Sequence, residues 1–271
     1  TDKSIIRLCQ ELKARGYNVL FYPMLQVDTI TPQAKPWRGR ITPTSVTDVS
    51  NFFTSTNGYN AFINWYANLQ IGGVYLKNNI DGIMIGSELV GLTTYMSSPG
   101  VFPAVTQLKS LAASVKAAVG SGVKVIYGGD WSEYHSVGGW YNLDPLWSDS
   151  NIDIVGIDCY FPLTPDLPQT QIDYAAVYAG WSKDEGWDYY WSDSVNRTGK
   201  TFYGSPTYAW KNVKNWWNST HTNPDTSTTA WTAKMKPVWF TELGFPSVDG
   251  CANQPNVFID PDSIESFYPR S

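Results

Sequence analysis

The chain has 271 residues, with 19 Lys and Arg against 24 Asp and Glu, a net charge of −5. Aromatic residues make up 15% of it, with 13 Trp and 17 Tyr, while charged residues make up only 16%, a balance suited to aromatic platforms for an uncharged polar ligand. A hydrophobic share of 42% excludes wholesale disorder, the mild acidity excludes the basic stripe of a nucleic-acid binder, and no apolar run approaches the ~20 residues of a membrane span.

At ~100–200 residues per domain, the length allows one large domain over 1–271 or two small ones. Residues 5–15 predict an amphipathic helix, with Ile5, Leu8, Cys9 and Leu12 on one face and Gly16 as its stop. The apolar run at 18–26 predicts a buried strand, followed by a loop carrying Trp37-Arg38-Gly39. Residues 58–69 predict an aromatic-rich helix, and 81–88 a short apolar strand with a polar tip. A helix over 103–119 ends at Gly120-Ser-Gly122, and 124–130 is another strand. A strand at 153–160 and a helix over 169–182 follow. The segment 183–235, dense in Trp, Asn, Ser and Thr, predicts an insertion-like loop region. The last strand is 237–244, and the Pro- and Asp-rich tail 245–271 predicts loop. Cys9, Cys159 and Cys251 lack CxxC spacing and predict buried thiols rather than a redox motif. Thr1-Asp2-Lys3-Ser4 is no signal peptide, since no apolar run follows it. The chain starts abruptly, as an excised fragment or processed product does.

Near-continuous apolar strands alternating with helices predict a parallel sheet covered by helices. A doubly wound sheet and a (β/α)8 barrel both fit this periodicity. Each strand ends in polar or ionisable residues: Gln26 and Asp28, Ser87 and Glu88, Asp130 and Trp131, Asp158 and Tyr160, and Glu242. Parallel α/β folds place their active sites at these C-terminal edges. Glutamate is scarce: Glu11, Glu88, Glu133, Glu185, Glu242 and Glu265 are all there are. Two of the six sit at strand tips. Glycoside hydrolysis needs such a pair, one carboxyl to protonate the leaving oxygen and one to attack or to activate water. Other chemistries lack their parts. There is no Walker loop, no GxGxxG and no GxSxG elbow. His135 and His221 both fall in loops, and no strand ends in the Lys of an aldol-type enzyme. No metal or cofactor is expected.

Ile83-Met-Ile-Gly-Ser-Glu-Leu89 and Val238-Trp-Phe-Thr-Glu-Leu-Gly244 resemble the fourth-strand and seventh-strand motifs of the large retaining clan of TIM-barrel glycoside hydrolases. Trp37-Arg38-Gly39 resembles the β-mannanase-like branch. A closer resemblance, over nearly the whole chain, is to the GTA TIM-barrel-like domain of tail or baseplate proteins of phage-like gene transfer agents. Asp153-Ile-Val-Gly-Ile-Asp-Cys-Tyr-Phe-Pro-Leu163, Glu242-Leu-Gly-Phe-Pro-Ser-Val-Asp249 and Asn253-Gln-Pro-Asn-Val-Phe-Ile-Asp-Pro261 carry it. The resemblance implies a TIM barrel, incomplete here, with strands three to seven recognisable; five strands cannot close an eight-stranded barrel. It implies Glu88 as acid/base and Glu242 as nucleophile, held by a hydrogen bond from Tyr160. Asp28, Arg38, Asp130 and Trp131 would line the sugar subsites, with Trp37, Ser87 and Asp158 beside them. Trp210 and Trp239 would be stacking platforms. The clan has Asn where this chain has the shorter Ser87. The implied partners are a polysaccharide or peptidoglycan-type glycan and other tail or baseplate proteins. The implied location is a phage-like particle, or the bacterial cytoplasm before assembly. The rival expectation is a glycan-binding or structural tail module without catalysis.

Overall fold

The computed structural model describes residues 1–27, 37–164, 173–193, 196–247, 251–253 and 255. In chain order the helices and strands are α1 (Asp2–Ala14), β1 (Leu20–Phe21), α2 (Val46–Thr54), α3 (Tyr59–Ala67), β2 (Gln70–Ile71) and β3 (Val74–Tyr75). Then come β4 (Gly82–Ser87), α4 (Val90–Thr93), α5 (Pro103–Val119), β5 (Lys124–Asp130), α6 (Asp144–Trp147) and β6 (Ile154–Cys159). The described part finishes with α7 (Tyr174–Gly180), β7 (Tyr189–Asp193), β8 (Thr198–Phe202), α8 (Val213–Asn218) and β9 (Val238–Leu243). Five strands form one sheet in the order β1-β4-β5-β6-β9, every neighbouring pair parallel. The order follows the chain, as it does around an α/β barrel. β2 and β3 form one small hairpin, and β7 and β8 another.

The two faces of the sheet have different fates. Ile83, Ile85, Val125, Tyr127, Val155 and Ile157 point to one side, into the main core. There they meet Val49 and Phe53 of α2, Ile63 of α3 and Leu108, Leu111 and Val115 of α5. The other, inner face carries a much smaller cluster, Met84, Ile126 and Ile154 with Tyr22 against it. β4, β5 and β6 are buried almost throughout, which explains their continuous apolar sequences.

The sharpest match to the sequence is α5. Pro103 occupies its first turn, where a missing N–H costs nothing, and its buried residues recur at helical spacing. Gly120 stops it at φ +82, a left-handed conformation that favours glycine. Two aspartates secure the N-terminal ends of the strands. Asp81 accepts from Val19 N at 2.7 Å and pairs with Lys13, and these bonds hold its carboxyl below the ordinary range. Asp153 accepts from Val125 N at 2.8 Å and pairs with Lys116.

Three expectations change in detail. The run at 18–26 is a strand only at Leu20–Phe21, because Tyr22-Pro23 follows and proline has no N–H for a ladder. The segment 183–235 is not only loop: it holds the β7–β8 hairpin and α8. The chain between the Trp37 loop and residue 58 forms α2, started by Ser45, whose side chain accepts from Asp48 N. Of the helix expected over 169–182, the described part is α7, and 169–172 lie outside the described residues. All three cysteines are free, Cys9 and Cys159 buried and Cys251 half-buried.

Candidate active site

β4 ends with a bend that aims Glu88. Residue 88 lies at φ +48, in the left-handed region that non-glycine residues rarely enter. Its N–H still donates to Gly128 O at 2.9 Å, so the turn is anchored to β5. The Glu88 side chain is buried and accepts from Trp37 Nε1 at 2.6 Å. Trp37 in turn folds back over Gly39: a Cβ at residue 39 would lie 2.5 Å from the indole. The Trp-Arg-Gly sequence therefore has a steric reason as well as a chemical one. Arg40 stacks on the same indole, 5.3 Å from the ring centre.

β9 presents Glu242 by a different device. In the β6–β9 ladder Ile157 faces Phe240 while Asp158 faces Glu242, so Thr241 is an extra residue, a bulge. Thr241 and Glu242 consequently both point to the inner face. The Glu242 carboxylate accepts from Arg38 Nη2 at 2.9 Å, Tyr160 Oη at 3.0 Å and Tyr22 Oη at 3.3 Å. An ionised carboxylate is an acceptor only, and this donor set matches it.

Arg38 joins the two glutamates. Its Nη2 lies 3.1 Å from Glu88 and 2.9 Å from Glu242, and 3.9 Å from Asp158. The same guanidinium bonds Ser87 Oγ at 2.6 Å, Ser87 O at 3.0 Å and Tyr22 Oη at 2.9 Å. Glu88, Asp158 and Glu242 each bring an oxygen within 4.8 Å of the others. Three carboxylates so spaced could surround a cation, but the Arg38 nitrogen already stands against all three as the resident positive charge. Burial pushes Glu88 up to about 8, against the lowering pull of Arg38, and Asp130 adds to the rise. Burial and then the charge of Glu242 push Asp158 up to about 7. Asp130 shares a hydrogen bond with Glu88, accepts from Ser132, and is raised by its own burial.

The predicted residues sort clearly. Trp37, Arg38, Ser87, Glu88, Asp130, Asp158, Tyr160 and Glu242 come together around one guanidinium. Ser87 is engaged by Arg38 and Tyr22, and Asp158 is fully buried against Thr241 and Arg38, rather than either facing outward. Trp131, after the tip of β5, packs against Trp210, with ring centres 4.3 Å apart and the planes tilted by 30°. Trp239 lies elsewhere. It stands opposite Gly156 on the inner face, below Thr241, 44% exposed and away from the C-terminal edge of the sheet. Asp28 lies outside the described residues.

Three participants were not among the predicted site residues. Tyr22 bonds both Arg38 and Glu242 from just past β1. Its signal was its place in the first apolar run. Thr241 donates to Asp158 Oδ1 at 2.6 Å from the bulge itself. Glu133 is buried and accepts from Thr93, Tyr127 Oη at 2.9 Å and Asp130 N at 3.0 Å. It braces the turn after β5 from behind, and an acidic residue three positions after Asp130 was its available signal.

The family model for the GTA TIM-barrel-like domain matches residues 57–271. The chain belongs to this family. Neither a curated protein nor a solved structure matches it. The family's match includes β4 through β9, and thus Glu88, Asp130, Asp158, Tyr160 and Glu242; the Trp37 loop and β1 precede it. Among the described residues, no helix is long and apolar enough to cross a membrane.

Proposed function

We propose that this GTA TIM-barrel-like domain is a retaining glycoside hydrolase. Its five parallel strands stand for five consecutive strands of a (β/α)8 barrel, and its target is a cell-surface or cell-wall glycan met by a phage-tail-like particle. Glu88 protonates the departing glycosidic oxygen and Glu242 attacks the anomeric carbon. In the second step Glu88 takes a proton from water, and the water displaces Glu242. The observation that carries this reading is the carboxyl pair itself. The two glutamates stand at the tips of different strands with oxygens within 4.8 Å and a single arginine nitrogen between them. Retaining enzymes separate their carboxyls by ~5–5.5 Å, and inverting ones by ~6.5–9.5 Å, to admit a water. The raised Glu88 suits an acid, and the three donors on Glu242 suit a carboxylate nucleophile. Trp131 and Trp210 offer a paired aromatic surface near the tip of β5 for apolar sugar faces.

A second reading also has an observation on its side. Glu88 is only 6% exposed and Arg38 only 8%, with Arg38 bonded to both glutamates. A mouth filled in this way favours a glycan-binding or structural tail module without turnover. Screening against a polysaccharide panel that includes peptidoglycan and β-mannan separates the two. On the glycosidase reading, Glu242→Gln abolishes turnover and leaves glycan binding in place. Full residual hydrolysis in that variant would sink the assignment, and binding without turnover by the unaltered chain would favour the second reading.

A further inference from the structure

Asp158 has an environment that a sugar-binding carboxylate would not have. It is fully buried at the tip of β6, in register with Asp130 on one side and Glu242 on the other. One oxygen, Oδ1, accepts from Thr241 Oγ1 at 2.6 Å. The other, Oδ2, is buried without a hydrogen-bond partner, and the nearest cation, Arg38 Nη2, stands off at 3.9 Å. The remaining groups that act on it are acidic: Glu242, Asp130 and Glu88, with Tyr22 alongside. Four carboxyls thus share one guanidinium. An ionised carboxylate with a bare buried oxygen and negative neighbours is costly, and a proton on that oxygen removes most of the cost.

The bond from Thr241 matters for another reason. Thr241 is the extra residue of the β9 bulge, and the bulge turns Glu242 to the inner face. The hydroxyl that holds the bulge to β6 ends on Asp158. We propose that Asp158 is a positioning residue for Glu242, an uncharged carboxylic acid that pins the β9 bulge through Thr241 and so fixes where the Glu242 carboxylate stands. Burial and then the Glu242 charge both raise its pKa and favour the protonated form. The rate effects expected below rest on the glycosidase reading, but the protonation state does not.

The test compares three variants of the full chain. Asp158→Asn keeps the acceptor for Thr241 and imitates the neutral acid, Asp158→Ala removes the pin, and Thr241→Val removes the donor while keeping its shape. An infrared difference spectrum between the unaltered chain and Asp158→Asn at pH 6 should show loss of one buried carboxylic C=O band. Asp158→Asn should keep kcat within about threefold. Asp158→Ala and Thr241→Val should each lose about 10²-fold in kcat with little change in KM, the cost of a misplaced reacting group. Absence of the band, or an Asp158→Asn variant as impaired as Asp158→Ala, overturns the proposal. Thr241→Val carries the test if Asp158→Ala does not fold. If the unaltered chain cleaves no glycan at all, the glycosidase reading fails while the infrared band still decides the state of Asp158.

Discussion

Glu88 combines a strained backbone, at φ +48, with a buried side chain raised to about 8. A residue in that region costs about 1–3 kcal/mol and persists only where its surroundings hold it. Here the Gly128 carbonyl and the Trp37 indole hold it. On the proposed chemistry Glu88 must be protonated to act as the acid. Hydrolysis is therefore expected to decline as pH rises through about 8, and Glu88→Gln to lose that limb along with about 10²–10⁴-fold of the rate. A pH–rate profile of both forms checks this. Glu88 and Glu242 were legible in the sequence because glutamate is rare and apolar strands frame both. Tyr22 and Thr241 were not. The first sits past a strand that breaks earlier than its apolar run, and the second shares the inner face with its neighbour Glu242 because of a bulge. Alternating patterns assume an unbroken period of two, so a bulge is invisible to them.

The elements themselves were mostly visible in advance, for an identifiable reason. β4, β5, β6 and α5 are buried on nearly every position or on one clean face, so composition alone marks them. The β7–β8 hairpin is short and half-exposed and leaves no such trace, while β1 is much shorter than the apolar run that announces it. Glycine marks where elements come closest. A Cβ on Gly156 of β6 would lie 2.7 Å from Tyr127 O, 3.0 Å from Gly128 Cα and 3.0 Å from Thr241 Cγ2. Two of these are backbone atoms that cannot swing away. Gly156→Ala is expected to destabilise the chain by about 1–3 kcal/mol, the usual range for overpacking. It should also disturb the β9 bulge that carries Glu242. Urea unfolding measures the first effect, and a drop in glycan turnover larger than the stability loss explains would report the second.

At the scale of the whole molecule, buried acids outweigh buried bases among the described residues. Glu88 is raised to about 8, and Glu133 and Asp158 to about 7, all chiefly by burial. An acid raised on folding holds more protons folded than unfolded, so stability falls as pH climbs from its ordinary value to the folded one. His135, lowered to about 4 by burial, works in the opposite sense, but its effect is complete by its ordinary value of 6.5. Lys211, lowered to about 8 by burial, adds stability only above that pH. Among these groups, only the acids change charge in the interval between about pH 6.5 and 8. The urea midpoint is expected to fall across that interval, and Glu133→Gln to flatten part of the slope. A midpoint that rises with pH there would contradict the buried-acid picture.

The guanidinium of Arg38 also dictates an order of assembly. It reaches Ser87 across 49 residues of chain but Glu242 across 204. Tyr22 meets Glu242 across 220. Closing longer loops costs more entropy before any contact repays it, and contacts of long range slow folding. Arg38 is therefore expected to settle first on Ser87 and Glu88 and to gain Glu242 only when β9 docks. A chain interrupted before β9 would already have spent its one central cation on Glu88, and the last strand would complete a half-built ion cluster as it completes the sheet.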